Sequence, residues 1–181
     1  MEKILVSYQS KYGTTKRYAE WIAAELGTVA RERGSISTTE IADYDVIIHG
    51  GGLYAGSVLG IDIFKDHFEE SNGKKRILFT CGLGDPEEPN SLARLEEGLV
   101  QVLGEDILAE LKVFHLRGGI DYSKLSFLHK GMMRLLHLFI NRKQKGEQGD
   151  EDWSMLGSYG QNIDHTDRAT IQPLVDYVRG C

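Results

Sequence analysis

Four short apolar runs, each followed by a polar or glycine-rich turn, constrain this chain more than any other feature. Lys3–Tyr8 (KILVSY), Asp45–His49 (DVIIH), Arg76–Cys81 (RILFTC) and Leu111–Leu116 (LKVFHL) read as strands buried on both faces. A weaker fifth strand is read at Thr28–Arg31. Helix-period segments separate them. Thr14–Leu26 places Tyr18, Ile22 and Leu26 on one face, with Gly27 as its stop. Ile61, Phe64 and Phe68 mark a second helix, and Leu92–Leu103 is a third, capped near Asn90 or Ser91. A last helix lies around Ile171, Leu174, Val175 and Val178, with Pro173 limiting where it begins.

Alternating strands and helices imply an α/β fold: a five-stranded parallel sheet covered on both faces. Right-handed crossovers then give a doubly wound three-layer sandwich. There is no internal repeat and no low-complexity tract, and 181 residues are most simply one domain, 1–181. Ligands of such folds bind in the loops beyond the carboxyl ends of the strands. Three loops have that position here, at 9–15, 50–57 and 81–91.

The first loop, Ser10-Lys11-Tyr12-Gly13-Thr14-Thr15, runs into the first helix. A helix N-terminus exposes unpaired N–H groups and partial positive charge, which suit a phosphate, and the hydroxyls add donors. The spacing is neither a P-loop nor a GxGxxG fingerprint. The simpler alternative is that Ser10 and Thr14 only cap the helix. In the second loop, Gly50 to Ser57, the glycines let a flat ligand lie against backbone and Tyr54 offers a ring to stack on it. The alternative there is a tight strand-to-helix turn with a partly buried tyrosine. The third loop holds Cys81, Gly82, Leu83, Gly84 and Asp85. Cys81 reads as a small core residue rather than a nucleophile. No His/Cys cluster has metal-ligand spacing, and no histidine has an evident Ser or Cys partner for a triad.

The pattern Ser10, Gly13, Thr15 between first strand and first helix resembles the phosphate loop of flavodoxins. The resemblance spans Ile4 to Val178. It is closest to the short single-domain group that includes the menaquinone-dependent protoporphyrinogen IX dehydrogenase. Shared with that group are the loop Gly50–Gly56 (GGGLYAG), the segment Phe114–Tyr122 (FHLRGGIDY) and the basic stretch after it. The resemblance implies FMN as cofactor, its phosphate on residues 10–15. Gly52, Leu53, Tyr54, Ala55 and Gly56, residues 81–85, and Gly118 and Gly119 are implied to surround the rest. In flavodoxins the third loop meets the ring edge through backbone groups, and Asp85 there would disfavour an anionic reduced form.

The stretch 123–145 carries Lys124, Lys130, Arg134, Arg142, Lys143 and Lys145 with no Asp or Glu, in a chain of net charge -6. Leu125, Leu128, Met132, Leu135 or Leu136, and Phe139 recur at helical spacing, so a basic amphipathic helix, followed by a loop, is expected as an insertion over about 123–160. It suits a membrane surface or an acidic partner; the alternative is that its apolar face packs on the sheet edge. Gly146–Gly160 is expected as a loop, in which Trp153 and Tyr159 are either anchors or neighbours of the cofactor. The acidic balance argues against nucleic-acid binding. Two cysteines make no disulfide framework, the N-terminal apolar run is too short for a signal peptide, and no run reaches a membrane span. A cytoplasmic protein is expected, with peripheral contact at the inner face of the membrane through 123–145.

Three functions are open at this level. The first is an FMN-dependent oxidoreductase passing electrons from a bound organic substrate to a quinone. The second is an electron carrier docking to a redox protein, and the third is a flavin-free partner-binding domain. No catalytic side chain is assigned.

Overall fold

The run after Lys3 forms β1 (Ile4–Gln9), and the other strands are placed by what pairs with it. The computed structural model describes residues 2–54, 57–66, 71, 73–121, 131 and 162–180. Parallel neighbours flank β1 on both sides, β2 (Ala30–Glu32) and β3 (Val46–Tyr54). Beyond β3 come β5 (Lys75–Gly82) and β6 (Leu111–Arg117), also parallel, so the order is β2-β1-β3-β5-β6. A two-residue strand, β4 (Ser57–Val58), folds back antiparallel on the end of β3. The sheet is the five-stranded parallel one that the apolar runs require.

Side chains alternate across the pleat, so each central strand feeds two cores. Val6, Ile48, Ile77 and Phe79 face α1 (Thr14–Glu25) and a C-terminal helix, α6 (Gln172–Arg179). Leu5, Ile47 and Leu78 face α3 (Asp62–Asp66) and α4 (Pro89–Leu103), with α5 (Glu105–Ala109) at the margin. An eight-residue helix such as α6 is too short to persist alone. Leu174, Val175 and Val178 hold it to the sheet, each buried side chain contributing roughly 1.5–3 kcal/mol.

The boundaries move from the sequence reading in instructive ways. The fourth helix begins at Pro89 rather than Leu92, because a proline in the first turn lacks only an N–H that is unpaired there anyway. Pro173 likewise falls in the first turn of α6. A one-turn helix, α2 (Thr38–Ile41), was not anticipated; Ser37 and Glu40 form a capping box around it. Phe68, the basic stretch 123–145 (Gly131 apart), the loop 146–160 and Cys181 lie outside the described residues.

The triplet Gly50-Gly51-Gly52 is strand, not loop. It pairs with Tyr8 and Gln9 on one side and with Phe79, Thr80 and Cys81 on the other. A Cβ at Gly50 would overlap the Phe79 ring, and one at Gly51 would overlap Val58. These glycines are cut away for neighbouring side chains, and β3 runs on to Tyr54.

His49 on β3 is fully buried and ties that strand to the segment leading into α3. Its Nε2 lies 3.0 Å from the Leu59 carbonyl, an acceptor only, so Nε2 carries the proton and Nδ1 faces the Ser7 hydroxyl at 2.9 Å. Burial holds the imidazole neutral, its pKa pushed down from 6.5 to about 4. The unfolded chain therefore takes up a proton at a higher pH than the folded one. His49 contributes stability that is complete above pH 6.5 and lost as the pH falls toward 4. Between pH 7 and 5 the wild-type chain is expected to lose about 2 kcal/mol more unfolding free energy than His49→Gln. Urea unfolding at the two pH values checks this; equal losses would place the titrating group elsewhere.

Candidate functional site

All five main strands are parallel, so their carboxyl ends share one edge of the sheet. The chain leaves β1 toward β2 on one side and leaves β3 toward β5 and β6 on the other. That reversal opens a crevice above β1 and β3 that no crossover covers.

The first loop sits at this crevice. Gly13 precedes α1 with φ +96°, a backbone conformation open chiefly to glycine. The Ser10 hydroxyl accepts the Gly13 N–H at 3.0 Å, closing the loop locally. No side chain caps α1, and no acidic residue stands in its first turn. The capping alternative is therefore not what the loop does: Ser10 bonds one residue too early. The helix presents its first N–H groups together with partial positive charge, beside the partly exposed Thr14. Thr15 is buried, and its hydroxyl would lie 3.0 Å from a Cβ at Gly52, so it packs the loop onto β3. Lys11 is exposed and holds its ammonium 3.6 Å from the centre of the Tyr54 ring, joining the first loop to the second. Tyr12 lines a cavity beside the loop.

Leu53 packs on Gly82, where a Cβ would come within 2.5 Å of its Cδ1, so the ends of β3 and β5 touch. Ala55 and Gly56 lie outside the described residues. Cys81 is buried and donates its thiol to the Thr14 hydroxyl at 3.5 Å; burial pushes the thiol up from 9.0, opposed by its hydrogen bonds with Thr14 and Thr15. A buried, protonated thiol is a poor nucleophile. Gly84 lies near Ser91 at the start of α4, and Leu83 is half-buried. Gly118 donates its N–H to the Gly82 carbonyl at 2.6 Å, and its missing side chain leaves room for Cys81 and Thr14. Gly119 backs onto the Ile163 carbonyl.

Several contributors were not read from the sequence. Arg117, at the end of β6, bonds Asp85 at 2.8 Å. Its own carbonyl accepts the hydroxyl of buried Tyr18 at 2.8 Å, and burial raises that phenol above 10.0. After Gly118 the chain forms β7 (Gly119–Asp121), which pairs antiparallel with β8 (Asn162–Asp164). Arg17, one turn into α1, bonds Asp164 at 2.6 Å and Thr166 at 2.7 Å. Arg17 holds the Asp164 carboxyl down from 3.8 to about 2. A cavity of about 130 Å³ lies between these strands and the first loop, lined by Tyr12, Thr14, Arg17, Gly119, Asn162 and Asp164 among others. Tyr12, Thr14, Asp85, Gly118 and Gly119 were named from the sequence; Arg17, Arg117, Asn162, Asp164 and Thr166 were not. The ion pairs join residues far apart in sequence, and nothing local marks them.

A family model described as a flavodoxin domain matches residues 5–148. Among solved structures, the chain is similar to an oxidised flavodoxin 2 from Bacillus cereus, 28% identical, covering 64% of this chain and 85% of that one at a TM-score of 0.41. It is also similar to a two-electron reduced flavodoxin from Megasphaera elsdenii, 20% identical, covering 62% and 82% at a TM-score of 0.42. A flavodoxin from the domain Archaea is 18% identical, covering 67% and 87% at a TM-score of 0.44. No curated protein matches.

The packing at Gly118 yields a direct test. A Cβ there would stand 2.7 Å from the Cys81 sulfur and 3.3 Å from the Thr14 hydroxyl. Gly118→Ala is expected to cost about 1–3 kcal/mol in urea unfolding by overpacking. In a Cys81→Ala background the same substitution is expected to cost clearly less. An equal cost in both backgrounds would show that the sulfur is not the obstacle.

Proposed function

The chain belongs to the flavodoxin domain family, and from that premise we propose that it is an FMN-binding redox protein working as an oxidoreductase, in the manner of the protoporphyrinogen IX dehydrogenase group. The donor set fits FMN. An uncapped helix, a glycine at φ +96° and the Ser10 and Thr14 hydroxyls suit a phosphate dianion. Cys81 and Thr14 close on Gly118 where a Cβ would intrude, leaving a smooth wall of backbone next to the phosphate loop. In this reading Ser10, Lys11, Tyr12, Gly13, Thr14 and Thr15 hold the phosphate. Gly52 to Gly56 and Cys81 to Asp85 flank the ring, and Gly118 and Gly119 close the floor. FMN supplies the capacity to take up and release electrons; the chain supplies binding, orientation and the local field. No side chain is assigned a catalytic role.

The observation that carries the oxidoreductase reading is the pairing of β7 with β8. It brings both ends of the segment between them to the rim of the phosphate loop, beside Tyr12, Thr14 and Arg17. That segment contains the basic stretch 123–145. Positive charge issuing from the edge of a redox site suits an anionic organic substrate or the headgroup surface where a quinone resides. We place the protein in the cytoplasm with peripheral contact at the inner membrane face; among the described residues no helix is long and apolar enough to cross a membrane. A second reading, an electron carrier docking to a redox protein, is favoured by the acidic turn of Asp85, Glu87 and Glu88 on the third loop, where Glu87 is exposed.

Two measurements test this. Ser10→Ala and Thr14→Ala are each expected to weaken FMN binding by about tenfold or more while leaving riboflavin, which lacks the phosphate, unchanged. Parallel losses for both flavins would remove the phosphate from residues 10–15. With FMN bound, oxidation of protoporphyrinogen by a menaquinone analogue is expected to outpace a flavin-free control. Equal rates would leave the carrier reading in place.

A further inference from the structure

We propose that the Arg117–Asp85 ion pair sets the reduction potential of the bound cofactor, with Arg117 as the positioning residue of the third loop; this rests on the FMN reading above. The pair spans 2.8 Å between the end of β6 and the loop after β5. It is anchored at both ends. The Arg117 carbonyl is fixed by the Tyr18 hydroxyl, and Gly118 donates to Gly82 immediately below the loop. The second Asp85 oxygen accepts the Glu87 N–H at 3.1 Å, so the carboxylate also shapes the turn that leads into α4. Both side chains are only partly exposed, 37% for Arg117 and 40% for Asp85.

A further detail points to a ligand. The Arg117 Nε is buried with no hydrogen-bond partner among the described residues. A buried donor without an acceptor is costly, and native chains rarely leave one. Arg117 thus has a guanidinium committed to Asp85 on one edge and an unused donor on the other. It stands at the carboxyl end of the sheet next to Gly82, its register partner on β5.

The electrostatics follow from the pairing. Flavin reduction adds negative charge. Asp85 alone beside the ring would oppose it, and Arg117 offsets that opposition. Removing the guanidinium leaves an unpaired carboxylate and disfavours the reduced state; removing the carboxylate leaves an unpaired cation and favours it. A purely structural pair would weaken FMN in both cases without opposite effects on its potential.

The experiment uses the FMN-reconstituted full chain and measures the midpoint potential and the FMN dissociation constant of wild type, Arg117→Gln, Asp85→Asn and the double variant. Arg117→Gln is expected to lower the midpoint, Asp85→Asn to raise it, and the double variant to return near wild type. Each single shift is expected to be on the order of tenfold in the ratio of affinities for reduced and oxidised cofactor, about 30 mV for a two-electron couple, and to shrink with added salt. Should Arg117→Gln not fold, Asp85→Asn alone carries the sign, and Arg117→Lys, which keeps the charge, is expected to stay near the wild-type potential. Shifts of the same sign in the two single variants, or none with FMN bound normally, overturn the inference and leave the FMN reading standing. A wild-type chain that binds no FMN overturns both.

Discussion

The parallel pairing of β1 with β3 is the constraint on which the rest depends. Six consecutive residues of β1, Ile4 to Gln9, match six of β3, Val46 to Gly51. Both strands are buried on both faces, so neither tolerates a register shift without placing Ser7 or His49 among apolar neighbours on the wrong side. Parallel pairing also forbids a hairpin between them and forces each to leave through a helix. One helix goes to each face, the two crossovers part, and the crevice between them is what remains. The place of the first loop is thus a by-product of topology before it is a set of hydroxyls.

The same logic explains how much of this molecule was legible in its sequence. The strands β1, β5 and β6 and the helix α1 were read almost residue for residue, because branched runs and four-residue spacing report burial directly. Gly50 to Gly52 misled. Glycine is a turn signal by local propensity, and only Phe79 and Val58, distant in sequence, make it a packing requirement. The β7–β8 pair was invisible for another reason. Each strand has three residues, and neither has a pattern without the other. Around the first and third loops, the residues next to a glycine or within the turn, Lys11 and Asp85 included, were named, whereas the partners that reach in from elsewhere, Arg17, Arg117 and Asp164, were not. A glycine beside a hydroxyl leaves a local signature, whereas Arg117 acquires meaning only when β6 lies beside β5 and Asp85 comes within reach.

Buried polar groups divide into two kinds here. His49, between Ser7 and Leu59, has every partner it needs inside the chain, and it serves to hold a segment in place. Among the described residues, the Arg117 Nε and the first turn of α1 are incompletely satisfied. Completeness separates groups that build the scaffold from groups that face a ligand, and in this fold the second kind gathers at one edge of the sheet.

The antiparallel contact between Gly119–Asp121 and Asn162–Asp164 has a consequence for chain length. It closes the neck of whatever lies between, and it does so on short strands outside the main sheet. Once a neck is closed, the entropic cost of a longer excursion grows only with the logarithm of its length. The two ends of the intervening segment are thus held together whatever its length. Because the neck stands against Arg17 and Thr14, both of those ends are kept beside the first loop and the start of α1, so any change in the length between them leaves its two points of attachment where they are.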